Sequence, residues 1–285
     1  MRAAVRVHET VAGWDVARPT VPSRLPGVDL AGFRSRGAEP VDVRVVPHPA
    51  LSLALECGNG PLVVDTATGR RQRGNLAVGF MDGTLRVRGT GVECVQVRLS
   101  PVLAQAVLGV SPAELDRGAV ALDELWGGDA ERVRQRLADA GSWRERFALT
   151  EALLAARAHA ARFPVEPQVA RVWDRIVGSR GRARVEELAA EVGWTRKRLW
   201  SRFRSQIGLP PKRAATLVRF DRAAHRLAAG EEAAAVAADG GYADQSHLCR
   251  EVREFTGATA SAVAGGEWLA VDGLAWAKGP AASAS

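Results

Sequence analysis

Apolar positions along the 285-residue chain fall into two textures. Between residues 41 and 99 they come in short runs, at 43–46, 51–56, 62–64, 76–80, 85–88 and 94–99, most of them bounded by Gly, Asn, Asp or Pro. Val95, Val97 and Leu99 alternate with Gln96 and Arg98, the period of a half-buried strand. Asn59-Gly60, Thr68-Gly69 and Asp82-Gly83 punctuate the runs, and Asp82-Gly83 has the chemistry of a two-residue hairpin. The pattern predicts a compact antiparallel sheet closed as a sandwich or a barrel. Residues 1–40, with Pro19, Pro22, Pro26 and Pro40, show little periodicity and read as irregular.

From residue 100 the period lengthens. Ser100-Pro101 and Ser111-Pro112 each set a capping residue before a proline suited to the first helical position, and Glu114 completes a capping box with Ser111. Val133 and Leu137 mark a short amphipathic helix. A longer helix spans about 142–161, with Trp143, Phe147, Leu149, Leu153 and Leu154 as its large apolar residues. Pro164 and Pro167 then interrupt the chain. The fold class expected is α+β: a β-rich N-terminal domain with helices over 1–165, then an all-α domain over 166–264. A tail rich in Gly, Ala and Ser follows over 265–285, in which Trp268, Leu269, Leu274 and Trp276 are large enough to dock.

Residues 184–208 read as a short helix, a tight turn and a second helix. Leu188, Ala189 and Val192 line the first helix; Gly193 ends it in a left-handed conformation that costs glycine nothing. Thr195 caps the second helix, on which Leu199, Phe203 and Ile207 recur every four residues and face the core. At about 100° per residue the opposite face carries Lys197, Arg198, Ser201, Arg204 and Ser205, hydrogen-bond donors on a rod that fits a major groove. Arg196 opens the same helix, and Trp200 lies at the edge of its outer face, within reach of a thymine methyl or a sugar. Residues 231–257 repeat the arrangement. Gly241 follows Gly193 by 48 residues and Leu248 follows Leu199 by 49, so the second turn is one residue longer. Asp244 caps the second reading helix, whose outer face shows Gln245, Ser246, Cys249 and Arg250. Between the units Pro210-Pro211 open a helix running to about Gly230, with Leu217, Phe220, Ala224 and Leu227 inward. Trp194 and Tyr242, beside the turns, read as packing residues, and His247 as structural.

Charge changes the picture. The net charge is +7, and residues 171–263 hold 17 basic against 11 acidic side chains. Residues 192–220 carry eight bases and no acid, which points to a polyanion; the alternative for such a run is a solvated basic face. The second reading helix sets Arg250 and Arg253 against Asp244, Glu251 and Glu254, so phosphate attraction is expected mainly from the first unit.

The stretches GYADQSHLCREVREFTG at 241–257 and LAAEVGWTRKRLWSRFRSQIGLPPKRA at 188–214 resemble the AraC/XylS-type transcription regulators. The resemblance covers about residues 168–264 and includes both units, the linking helix and their order. Val252 stands where the family usually has Phe, and Ala260 where a Pro usually follows the final TG. The resemblance implies a regulator of transcription that binds double-stranded DNA sequence-specifically, with RNA polymerase, a small-molecule effector and a second copy of the chain as further candidate partners. Arg196, Lys197, Arg198, Trp200, Ser201 and Arg204 are the expected contacts in one major groove; Gln245, Ser246, Cys249 and Arg250 serve the next.

The competing reading is a metal-binding, cupin-like enzyme tethered to DNA. His8, His48 and His159 show no metal-ligand spacing, and no GxSxG, HExxH or phosphate-cradling glycine loop occurs, so no catalytic, metal or cofactor site is expected. Cys57, Cys94 and Cys249 form no CxxC pair, which leaves no disulfide framework, zinc module or alkyl-accepting thiol cluster. No apolar run approaches the ~18 residues of a membrane helix, and Arg6, His8 and Glu9 interrupt any secretory leader. A soluble, cytoplasmic protein without membrane partners is expected.

Overall fold

A computed structural model describes residues 5–276, apart from 12, 38, 67–68, 82, 116–117 and 162–163. Thr68 and Asp82 of two expected turns, residues 277–285 of the expected tail and the side chains of His8 and Trp268 lie outside the described residues. The N-terminal half contains β1 (Val5–Val11), β2 (Trp14–Pro19), β3 (Val28–Ser35), β4 (Val41–Val45), β5 (Leu51–Glu56), β6 (Val63–Asp65), β7 (Arg71–Arg73), β8 (Leu76–Val78), β9 (Leu85–Gly89) and β10 (Glu93–Leu99). Helix α1 (Pro101–Leu108), strand β11 (Ala119–Ala121) and helices α2 (Leu122–Trp126), α3 (Gly128–Asp139) and α4 (Trp143–Ala160) complete it.

The strands pair antiparallel in two sheets, ordered β1-β2-β3-β10-β5-β8-β11 and β4-β9-β6-β7. The period-2 alternation sorts side chains between two cores. Trp14, Val16, Ala31, Phe33 and Cys94 of the large sheet meet Val43, Val45, Val64 and Leu85 of the small one, which makes a sandwich. Val28, Leu30, Val95, Val97 and Leu99 point the other way and pack under the helices.

Residues 1–40 depart from the irregular segment expected of them, because β2 and β3 lie there. Strand β3 is buried on both faces over most of its length, so its sequence lacks the alternation that betrays a half-buried strand. Pro22 and Pro26 sit in the β2–β3 connection and Pro19 ends β2; they bound strands and do not exclude them. Gly32 of β3 lets the indole of Trp143 at the start of α4 lie on the sheet.

Helix α1 starts at Pro101 as expected, but Ser100 makes no side-chain capping bond. The box at Ser111 forms, with Ser111 N donating to Glu114 Oε1 at 2.9 Å and Ala113 N to Ser111 Oγ at 3.2 Å, yet it closes only a turn. Ser111 Oγ instead donates to the carbonyl of Ser205 at 2.6 Å and ties this turn to the C-terminal half.

That half is helical: α5 (Pro167–Gly178), α6 (Val185–Glu191), α7 (Arg196–Ile207), α8 (Pro211–Ala228), α9 (Ala233–Gly240), α10 (Gln245–Thr256), α11 (Ala260–Ala264) and α12 (Glu267–Ala275). Helix α12 revises the expected tail. It returns to the sandwich, where Val271 and Ala275 join the inter-sheet core. Between them Asp272, 2% exposed, receives Arg98 Nη2 of β10 at 2.6 Å, and the Arg98 guanidinium lies 4.5 Å from the ring centroid of Trp276. Arg18 Nη1 donates to Leu274 O at 3.1 Å. No helix among the described residues is long and apolar enough to cross a membrane.

Candidate nucleic-acid interface

The first unit is built as its sequence requires. Helix α6 buries Leu188 and Ala189, and the chain turns at Gly193 with φ +67° while Trp194 N donates back to Ala189 O at 2.9 Å. Thr195 Oγ1 accepts from Arg198 N at 3.2 Å and caps α7. Leu199, Phe203 and Ile207 have no exposed surface, so they fix the rotation of α7 about its axis. Lys197, Arg198, Ser201, Arg204 and Ser205 are exposed on the face opposite that stripe; Arg196, in the first turn, and Trp200, at the edge of the face, are exposed as well.

Two of these cations are held by aromatic rings. Arg198 lies 4.9 Å from the ring centroid of Trp194, and Arg204 5.0 Å from that of Trp200. Such stacking restrains a long side chain while leaving the guanidinium edge open to an acceptor. Arg196 Nη1 reaches Glu186 Oε1 at 3.0 Å, an exposed pair that breaks at little cost. Arg202 is turned away from this group and bonds Glu166, which also accepts from Gln206 Nε2 at 2.9 Å.

In the second unit α9 buries Val236 and Ala237 and ends at Gly241, φ +80°. Asp244 Oδ1 accepts from His247 N at 2.7 Å and caps α10. Leu248, Val252 and Phe255 are buried, and Phe255 stacks on Phe220 of α8 with centroids 4.7 Å apart. Val252 is fully buried and Ala260 opens α11, so both positions keep their place in the helical framework. Gln245, Ser246 and Arg250 are exposed; Cys249 is half-buried against the core and is the least presented of the four. Tyr242 is buried, with His247 edge-on to it at 5.4 Å, as their reading as packing residues requires.

The acids of α10 are not where the charge count set them. Glu251 is 5% exposed and accepts from Tyr242 Oη at 2.7 Å and from Arg219 of α8 through Nε at 3.2 Å and through Nη2. Burial, and then the charge of Glu251, push the Tyr242 phenol far above its ordinary range, so it stays a hydrogen-bond donor. Glu254 pairs with Arg213, whose guanidinium lies 4.0 Å from the Phe255 centroid. Two arginines of α8 thereby neutralise two of the three acids counted against the second helix, and the expected imbalance between the units shrinks. Sequence spacing could have flagged Glu251, three residues after Leu248 and so on the inward side of α10.

Residues 188–265 match a protein-family profile described as a helix-turn-helix domain. No curated protein matches the chain. Among solved structures, the chain is similar to unsaturated fatty acid-bound ToxT from Vibrio cholerae strain SCE256, at 8% identity and a TM-score of 0.47 over 87% of this chain and 97% of that one. It is similar to the AraC-like transcriptional activator CuxR at 13% identity and a TM-score of 0.33, covering 71% and 80%. Oxalate decarboxylase from Bacillus subtilis matches 42% of this chain and 40% of its own, at 13% identity and a TM-score of 0.24.

Proposed function

From the AraC-type helix-turn-helix domain that residues 188–265 form, we propose that the chain regulates transcription by reading an asymmetric DNA site with α7 and α10 in successive major grooves. The observation that carries this reading is the paired exposure of Arg196, Lys197, Arg198, Ser201 and Arg204 on α7 and Gln245, Ser246 and Arg250 on α10. Each helix is fixed by a cap at one end and a buried apolar stripe behind. Arg198 and Arg204 are suited to guanine edges or phosphates, Gln245 to an adenine edge, Trp200 to a thymine methyl or sugar. Cys249, half-buried, adds a short-range contact at most. Helix α8 joins the units rigidly, so the two half-sites lie about one helical turn apart, ~34–36 Å.

The N-terminal sandwich, residues 1–165, serves as the effector or dimerisation module in this reading, and 166–264 as the DNA-binding domain. The division is supported by Pro167, which opens a helix whose Val169, Val172, Trp173 and Ile176 are buried in the C-terminal half. RNA polymerase, a second copy of the chain and a small-molecule effector are its further partners, and the cytoplasm its compartment. For the tethered cupin-like enzyme, no group of three or more His, Cys, Asp or Glu among the described residues is placed to hold a metal ion.

Selection of bound sites from random DNA, followed by footprinting, tests the proposal. An asymmetric consensus with two blocks one turn apart is expected. Recovery of no enriched sequence, or of a palindrome, would overturn it.

A further inference from the structure

We propose that the groove where α8 meets both helix-turn-helix units is a phosphate-binding site, one that holds a backbone phosphate of the bound DNA between its half-sites. This rests on the DNA-binding reading above and adds residues outside both reading helices.

The groove is shallow and open to solvent. It is lined by Arg219, Arg222 and Arg226 of α8, by Arg180 and Arg182 from the loop between α5 and α6, and by Asp239 of α9. Five guanidinium groups therefore line it against one carboxylate. Arg219 is committed to Glu251, and Arg226 to Glu231 and Asp239, at 3.0 Å from the latter. Arg182 Nε reaches only the carbonyl of Ser179, at 3.3 Å. Among the described residues no carboxylate pairs with Arg180, Arg182 or Arg222. Burial, then the charges of Arg180, Arg226 and Arg182, press the Arg222 pKa down, and the opposing pull of Glu231, itself paired with Arg226, does not offset them.

The loop that carries two of these arginines is held in an unfavourable conformation. Arg180, with φ 60°, is the non-glycine residue with positive φ among the described residues. Its N–H and that of Gly181 donate to Val177 O and Ile176 O, each at 2.9 Å. Gly181 packs so closely on α8 that a Cβ there would lie 2.2 Å from the carbonyl of Ala215. The cost of the backbone and of the crowded charge is met before any ligand arrives, which is preorganisation for an anion.

A guanidinium fork matches phosphate oxygens better than an ammonium does, and the groove offers three uncommitted forks and no free acid. Its walls are the approach to α6 and the body of α9, the first helices of the two units, and such helices cross the DNA backbone while the second helix enters the groove. A free phosphate ester has the same chemistry and would bind the same forks, so the test separates the two sources.

The double variant Arg180→Gln/Arg222→Gln changes exposed side chains, and its thermal midpoint is measured first. Binding to the selected DNA site and to random duplex is then titrated against salt by fluorescence anisotropy, next to wild type. Loss of one or two phosphate contacts lowers the salt slope by about one to two, weakens both DNAs by the same factor and leaves the sequence preference intact. Binding of inorganic phosphate is measured separately by calorimetry in chloride buffer of matched ionic strength. Phosphate bound by wild type and lost in the variant, with an unchanged DNA salt slope, would reassign the groove to a free phosphate ester and overturn the DNA-backbone assignment. An unchanged slope together with no phosphate binding would overturn the site altogether. Should wild type bind no DNA, the regulator reading fails, and the backbone assignment fails with it; the calorimetry alone then decides whether the groove holds phosphate.

Discussion

Asp272 Oδ2 of α12 lies 2.9 Å from His225 Nε2 of α8, and the same carboxylate takes Arg98 of β10 on its other oxygen. One buried anion thus joins the sandwich to the helix that connects the two DNA-reading units. His225 Nδ1 donates to the carbonyl of Asp221 at 2.8 Å, so the imidazolium satisfies both its N–H groups. The bond to Asp272, against the cost of burial, raises the His225 pKa to about 9, and Arg98 and His225 hold Asp272 down at about 2 although burial alone would raise it.

A pH dependence follows from the raised His225 value. The junction's contribution is fully present below the unfolded histidine pKa of about 6.5 and is lost as pH rises through about 9. It is worth on the order of 2–3 kcal/mol. His48, buried with Nε2 3.1 Å from Ser52 Oγ, acts in the opposite sense. Burial and then Arg98 hold its pKa at about 3, so stability falls as pH drops below about 6.5 toward that value. The thermal midpoint is therefore expected to peak near neutrality. His225→Gln should flatten the alkaline limb, and an unchanged limb in that variant would assign it to other groups.

Asp272→Ala leaves Arg98 and His225 in the seam without their anion. Removal of one partner from a buried charge cluster costs about 3–5 kcal/mol, and urea unfolding is expected to show a loss of that order. The double variant Asp272→Ala/His225→Leu should recover part of it. A full additive loss would mean that the two residues are not coupled.

Gly32→Ala is expected to destabilise the sandwich by ~1–3 kcal/mol, since a Cβ at that position would lie 2.4 Å from Trp143 Cε3. Gly109→Ala, where φ is +83° and nothing lies within 4 Å, tests backbone strain without a clash. The two midpoints in urea separate crowding from strain.

Tyr242→Phe removes a hydrogen bond to the buried Glu251 carboxylate and should cost ~1.5–3 kcal/mol. Because Glu251 anchors α10 to α8 through Arg219, protection of the distal half-site in footprints should weaken before that of the proximal one. Equal weakening of both would show that the units respond as one body.

Arg198→Ala/Arg204→Ala is expected to weaken binding to every duplex and to lower its salt slope, whereas Gln245→Ala should relax one position of the distal half-site, worth ~1–3 kcal/mol of discrimination. With Glu251 and Glu254 neutralised by Arg219 and Arg213, the second unit retains the pull of Arg250 and Arg253. The difference between the units is therefore smaller than their own helices imply, and parallel salt titrations of the two variants measure it.

The helical half was legible in the sequence because its signals are local. Gly193 and Gly241 mark turns, Thr195 and Asp244 mark caps, and an apolar residue every fourth position fixes each helix face. Strand β3 was not, because burial on both faces erases the period that identifies a strand. Helix α12 was hidden by its surroundings: it sits in a segment rich in Gly, Ala and Ser, and only Arg98 and His225, both far away in sequence, give Asp272 a reason to be buried. The same holds for Glu251, whose charge count depended on which helix it touched and not on which helix it occupied. Arg180 and Arg222 share that property, since the loop and the helix that bring them together are apart in sequence.

Asp272 follows Arg98 by 174 residues, and at roughly 5–20 residues per second the ribosome takes roughly 9–35 s to cover that distance. Sandwich strands form and pair far faster than this, as do the helices of the DNA-reading half. For those seconds the DNA-reading half is still being added, the electrostatic clasp does not yet exist, and Val271 and Ala275 are absent from the inter-sheet core. The clasp is consequently an end-of-synthesis event. A ribosome stalled between residues 264 and 272 presents a sandwich and a DNA-reading unit that share contacts such as that between Ser111 and Ser205 but lack the clasp.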